Sequence, residues 1–185
     1  MNPEDVLSFW FGGQLEVRAE WFRKNAEFDA QIKAQFLPTI LAAEKGELNH
    51  WLNAPHSCLA FIILLDQFPR NIFRNDARSF AYDHLALQTA KEAIKAKYHE
   101  QLQALEQLFL YLPFEHSEIL SDQEEILILM KDWQSHEQLK GFYDYAVKHH
   151  AVIRQFGRFP HRNHLLSRNS TSAEQTYLAS PDAGF

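Results

Sequence analysis

Large apolar side chains recur along this chain at intervals of three and four, the period of one face of an α-helix. Val6, Phe9 and Trp10 share a face in a first segment that Asn2 caps and Pro3 opens. Glu4 and Asp5 there complement the positive end of the helix dipole, and the run lasts to about Phe11, where Gly12-Gly13 ends it. Trp21, Phe28, Ile32, Phe36 and Ile40 predict an amphipathic helix over 21–41 that Pro38 bends or ends. Gly46 closes it, and a short turn of helix is expected over 47–52. Pro55 then opens a segment to about Gln67 that is apolar nearly all round, which places it at the centre of a core.

The second half reads the same way. Asp83 is expected to cap a helix with Leu87, Ala90, Ile94 and Tyr98 on one side and Lys91, Lys95 and Lys97 in solvent. A further helix follows over 102–112. Ser121-Asp122-Gln123-Glu124 has the form of a capping box ahead of Ile126, Leu127, Leu129, Met130 and Trp133. A long helix over 139–156 stops at Gly157, and Thr171-Ser172-Ala173-Glu174 forms a second capping box for a short last helix. With no alternating strand pattern and no Asn-Gly or Asp-Gly hairpin signal, the expected fold is all-α. Short connections make neighbouring helices antiparallel, so helical hairpins within a single domain over 1–185 are the expected architecture.

Composition supports a packed core: 46% of the 185 residues are hydrophobic, 14% aromatic, and only six are glycine. The single cysteine, Cys58, excludes an intramolecular disulfide and lies in an apolar run like a buried small hydrophobe. The first residues lack the basic and apolar regions of a secretion signal, and the apolar run from Cys58 to Leu65 falls far short of the roughly 20 residues that span a bilayer. A cytosolic protein is therefore expected. The formal charge of −6 argues against nucleic-acid binding over the whole surface. Yet between Asp144 and Glu174 there is no acidic residue, while Lys148, Arg154, Arg158, Arg162 and Arg168 and four histidines crowd that stretch.

Three segments are too polar for core and too apolar for linker: 66–74, 112–118 and 156–163. Each sets a proline beside an aromatic ring and follows it with Arg, Asn, His or Glu, a pattern that stops a helix and presents polar groups at its end. Phe68-Pro69-Arg70-Asn71 is echoed by Phe159-Pro160-His161-Arg162-Asn163, either a trace of duplication or a chance match. Arg70, Arg74 and Arg78 lie four apart, as do Arg154, Arg158 and Arg162. Guanidinium forks match carboxylate and phosphate oxygens two bonds at a time, so Arg70, Asn71, Arg74, Arg158, His161, Arg162 and Asn163 are candidates for holding an anion. The alternative is that Arg70 and Arg162 pair with Asp66, Glu115 or Glu118 and tie helix ends together.

Glu115 and His116 form the best acid/base candidate, with His161 as a second proton carrier, since imidazole titrates near neutrality. Equally, Pro113 opens a short helix whose dipole Glu115 and Glu118 merely complement. No metal or cofactor is assigned. Glu47-Leu48-Asn49-His50 is the one Glu-x-x-His pair, and glycine-rich phosphate loops, Gly-x-Ser-x-Gly and His-Glu-x-x-His are all missing.

The same segments carry a resemblance. Leu65-Asp66-Gln67-Phe68-Pro69-Arg70-Asn71, Tyr111-Leu112-Pro113-Phe114-Glu115-His116-Ser117-Glu118 and Phe156-Gly157-Arg158-Phe159-Pro160-His161-Arg162-Asn163 resemble the bacterial domain-of-unknown-function family 924, of the tetratricopeptide-like helical superfamily. The resemblance covers nearly the whole chain. It implies antiparallel helical hairpins and no particular reaction; tetratricopeptide-like arrays often bind peptides or proteins. The expected function is binding of an anionic small molecule or peptide end in a pocket lined by Arg, His and Asn. The rivals are a hydrolase or transferase using His116 or His161 as acid/base, and a protein-interaction scaffold; oligomeric state is left open.

Overall fold

A computed structural model describes residues 1–180 and 183–184. Among these are eight α-helices, joined partly by 3-10 turns, and no strand: α1 (Pro3–Phe11), α2 (Ala26–Glu44), α3 (Pro55–Ile72), α4 (Asp83–Lys95), α5 (Ala104–Glu115), α6 (Leu120–Leu129), α7 (Lys140–Phe156) and α8 (Ser172–Leu178). The all-α expectation holds. Within the span read above as one domain, packing groups the chain into two compact units, Met1–Pro113 and Phe114–Phe185.

In the first unit α3 is the centre, packed against α1, α2 and α4. Every residue from Cys58 to Pro69 is buried. That burial carries the helix through Pro69, at the start of its last turn, on to Ile72, beyond the expected end near Gln67. A proline inside a helix costs about 3 kcal/mol through its missing N–H and its ring. The contacts α3 makes on three sides outweigh that cost. Pro38 likewise lies inside α2, and Pro113 lies in the last turn of α5 rather than opening a helix.

Aromatic residues of α1, α2, α3 and α5 form one network with Trp21. Phe68 has its ring centre 4.7 Å from Phe36 and 5.6 Å from Trp10, and Phe109 stands edge-on to Trp10 and Trp21. Trp21 sits outside α2, in a 3-10 turn over Ala19–Trp21, because Asn25 caps α2 through the amides of Glu27 and Phe28. The Trp21 indole donates instead to the carbonyl of Trp10.

In the second unit α6 packs on α7, and Val152, Ile153 and Phe159 form a small core flanked by Phe156 and Tyr177. Gly157 ends α7 in the left-handed conformation, at φ 68°, which a side chain resists. Both reciprocal bonds of the Thr171–Glu174 capping box form. The box at Ser121 does not: α6 starts at Leu120, and the Ser117 hydroxyl both accepts from the Ile119 amide and donates to Asp122. Asp83 is not a cap either; Tyr82 holds that position and the Asp83 carboxylate faces Arg70.

Candidate functional site

Arg70, Asn71 and Arg74 sit on and just past the last turn of α3, and each bonds an acid of the first unit. Arg70 donates two bonds to Asp83, at 2.8 and 2.9 Å, and a third to the Asp66 carbonyl. That carbonyl lies beside the break that Pro69 makes in the backbone ladder. Asp29 on α2 accepts from Arg74 Nε at 2.5 Å and Nη2 at 2.9 Å, and from the Asn71 amide at 2.8 Å. Two helices are thereby tied at one carboxylate. Both ion pairs are half-buried, which shields them from solvent more than a surface pair.

In the second unit the Phe156–Asn163 segment folds back as a loop after α7. Arg158 makes a two-pronged pair with Glu174, at 2.6 and 2.8 Å, and donates to the Asn169 carbonyl. Arg168 makes another with Glu118, at 2.6 and 2.9 Å, and also bonds the Asn163 side chain. Asn163 donates in turn to Ser170. Arg158 and Asn163 thus brace the loop that presents the residues between them.

Those residues face a buried polar centre. Arg162 is only 6% exposed, and its guanidinium carbon lies 4.5 Å from the centre of the Phe159 ring. The Phe159 ring also meets His149 and His161, each at 5.5 Å between ring centres. His149 comes from the apolar face of α7, with Ala146, Val152 and Ile153. Its Nδ1 lies 3.0 Å from the Tyr145 carbonyl and 3.3 Å from the Glu115 carboxylate. Glu115 ends α5, and the Gln123 amide closes that end by donating to the carbonyls of Phe114, Glu115 and Ser117. Glu115, His149, His161 and Arg162 are therefore brought together, and the charge of His116 reaches both other histidines.

In the sequence His149 is one of four histidines in the stretch between Asp144 and Glu174, with nothing in the spacing to single it out. The signal that finds it is its place on the apolar stripe of α7. Among the described residues, no group of three His, Cys, Asp or Glu side chains could hold a metal ion, and no helix is long and apolar enough to cross a membrane.

The family model described as "Bacterial protein of unknown function (DUF924)" matches residues 6–182. The chain belongs to this family. A solved structure of a protein of unknown function from Agrobacterium tumefaciens is 37% identical, with a TM-score of 0.87 over 96% of each chain. No curated protein matches.

The electrostatics of this DUF924 protein divide the polar centre from its bracing. Burial, helped by the charges of His116, Arg162 and His161, pushes His149 down to about 3, although the Tyr145 carbonyl pulls the other way. The nearby Glu115 carboxylate would also favour a charged ring, but desolvation, the largest cause, prevails. Burial and Arg162 push His161 down to about 4. At pH 7 both rings are neutral, each with one donor and one acceptor nitrogen.

The braces behave as ion pairs. Burial raises Glu118, yet its bonds to Arg168 and the Phe159 amide, with the Arg168 and Arg162 charges, leave it below the usual range. Arg158 and the Thr171 amide hold Glu174 at about 2. Lowered carboxylate pKa values give stability that is full above about pH 4.5 and is lost as the pH falls toward 2. Glu174→Gln is expected to lower stability by a constant amount above pH 4.5 and to flatten the further loss below it, measured by urea unfolding followed by circular dichroism at a series of pH values. An unaltered curve below pH 4.5 would assign that loss to other groups.

Proposed function

We propose that the polar centre of the second unit binds a small anion, a carboxylate or phosphate ester of a metabolite or peptide end, with Arg162 as the charged anchor. The carrying observation is that the Arg162 guanidinium is buried on Phe159 while its field helps keep His149 and His161 neutral. A desolvated guanidinium forms two-pronged bonds to oxyanions, and neutral imidazoles beside it donate a hydrogen bond without repelling the cation. The anion would join this centre without displacing the Arg158–Glu174 and Arg168–Glu118 braces.

The test is binding of inorganic phosphate and acetate, followed by imidazole NMR. A bound anion favours protonation of a nearby ring, so the His161 pKa is expected to rise. Arg162→Lys is expected to weaken binding at least about tenfold with the fold retained. Histidine titrations indifferent to both anions would overturn the reading.

A second reading, an enzyme, is favoured by one contact. Glu115 stands 3.3 Å from His149 Nδ1, the relation by which a carboxylate orients an imidazole for proton transfer. His116 and His161 are the other candidate proton carriers in that reading. The hairpins of the first unit, with α3 packed against both α2 and α4, support a tetratricopeptide-like array. A cytoplasmic location is part of the proposal, supported by the lone thiol of Cys58, which burial pushes up to about 12.

A further inference from the structure

The first unit holds a cavity of about 400 Å³ among α2, α3 and α4. That volume falls in the range of roughly 300–1,000 Å³ typical of small-molecule sites. It exists because the residues facing one another there are small. Ala43 on α2 and Ala93 on α4 are 3% and 2% exposed, yet both line the space, and Gly46 and Ala96 continue the wall. Cys58 and Phe61 of α3 form an apolar floor. The Cys58 thiol stays protonated and apolar at any physiological pH because burial pushes it up to about 12.

The rim has the opposite character. Glu44, the last residue of α2, and Glu92, in the last turn of α4, both line the cavity, so two carboxylates and the negative ends of two helix dipoles meet there. The remaining polar lining comes from Asn49, Gln88, Thr89 and Tyr98, without a lysine or arginine. Lys95 lies 3.8 Å from Glu92 with both side chains mostly in solvent, and the Tyr82 hydroxyl donates to Glu44 at 3.3 Å. An anion is disfavoured at such a mouth. A cation attached to an apolar body matches both parts.

We propose that this cavity is a second ligand site, specific for a small organic cation: an amine whose compact apolar or aromatic body sits on Phe61 and Cys58 while its ammonium group faces Glu44 and Glu92. The site is independent of the anion centre in the second unit. An anchor of this kind draws its affinity from the apolar floor and its charge preference from the rim.

The experiment titrates the intact protein with phenethylamine, benzyl alcohol and phenylacetate, three probes of similar body and different charge, following backbone amide NMR shifts. Saturable shifts at Cys58, Thr89 and Ala93 are expected with the amine, at least about fivefold tighter than with the alcohol, and none with the acid. Glu44→Gln with Glu92→Gln is expected to remove the amine's advantage over the alcohol. Ala93→Leu, which fills the space, is expected to abolish binding of both while raising or preserving the melting temperature. Equal affinity for the three probes, or shifts confined to other residues, would overturn the proposal. So would an Ala93→Leu variant that folds and binds as before.

Discussion

Lowering the pH from 7 to 4.5 is expected to destabilise the second unit by about 3 kcal/mol through His149 alone. The unfolded chain takes up a proton at this imidazole below about pH 6.5, whereas the fold refuses it until about 3. Stability from this residue is therefore full above pH 6.5 and falls as the pH drops through the window, by about 1.4 kcal/mol for each unit. His161, refused until about 4, adds a second proton over the same window. The carboxylate braces lose their stabilisation only below about pH 4.5, so the two causes separate along the pH axis. Urea unfolding followed at the amides of α7, at pH 7, 6, 5 and 4.5, measures the slope. His149→Asn keeps a donor near the Tyr145 carbonyl and removes the titration, and is expected to cut the slope by about one proton. An unchanged slope would clear His149 of the effect.

This acid sensitivity bears directly on the proposed site. A bound anion supplies the compensation that burial and Arg162 deny the two rings, so phosphate is expected to reduce the destabilisation in the same pH window. Site and stability are coupled because the same desolvation keeps the imidazoles neutral and makes the Arg162 guanidinium a strong anion partner.

Helices were legible where local chemistry and period agreed. α1 with its Asn2 cap, α7 up to Gly157 and α8 behind Thr171 formed as their residues prescribed. Prolines misled at Pro69 and Pro113, because the breaking tendency there is local while the burial that overrides it is tertiary. Trp21 misled because it falls two turns before Phe28, a spacing that fits one continuous helix, while the decisive Asn25 cap lay between them. The arginine clusters were plain in sequence, but their partners were not. Arg168 and Glu118 are 50 positions apart, and Arg74 and Asp29 are 45 apart, distances at which spacing carries no information about contact. The reading that these motifs tie helix ends describes Arg70, Arg74, Arg158 and Arg168 well, and Arg162 adds a buried guanidinium over Phe159 beside two neutral histidines.

The largest single loss of stability is expected from Phe68→Ala, at roughly 3–5 kcal/mol. Phe68 is fully buried on α3, one residue before the proline that the helix has to accommodate. Its ring meets Phe36 of α2 at 4.7 Å, and Trp10 and Phe9 of α1 at 5.6 and 6.2 Å, so one side chain joins three helices. Truncation removes those contacts and leaves a void that flanking rings fill poorly, since each is held by its own aromatic neighbours. Phe68→Leu, which keeps most of the volume, is expected to cost well under half as much. Arg78→Ala serves as the control: its pair with Asp76 is exposed, and the change is expected to stay within about 0.5 kcal/mol. Urea unfolding with tryptophan fluorescence reads all three, because Trp10 reports directly on the space beside Phe68. A loss below about 1 kcal/mol for Phe68→Ala would mean that the apolar member of the Phe68-Pro69-Arg70-Asn71 motif does not hold α3 in place, and that the polar bonds of Arg70 and Asn71 carry the joint instead.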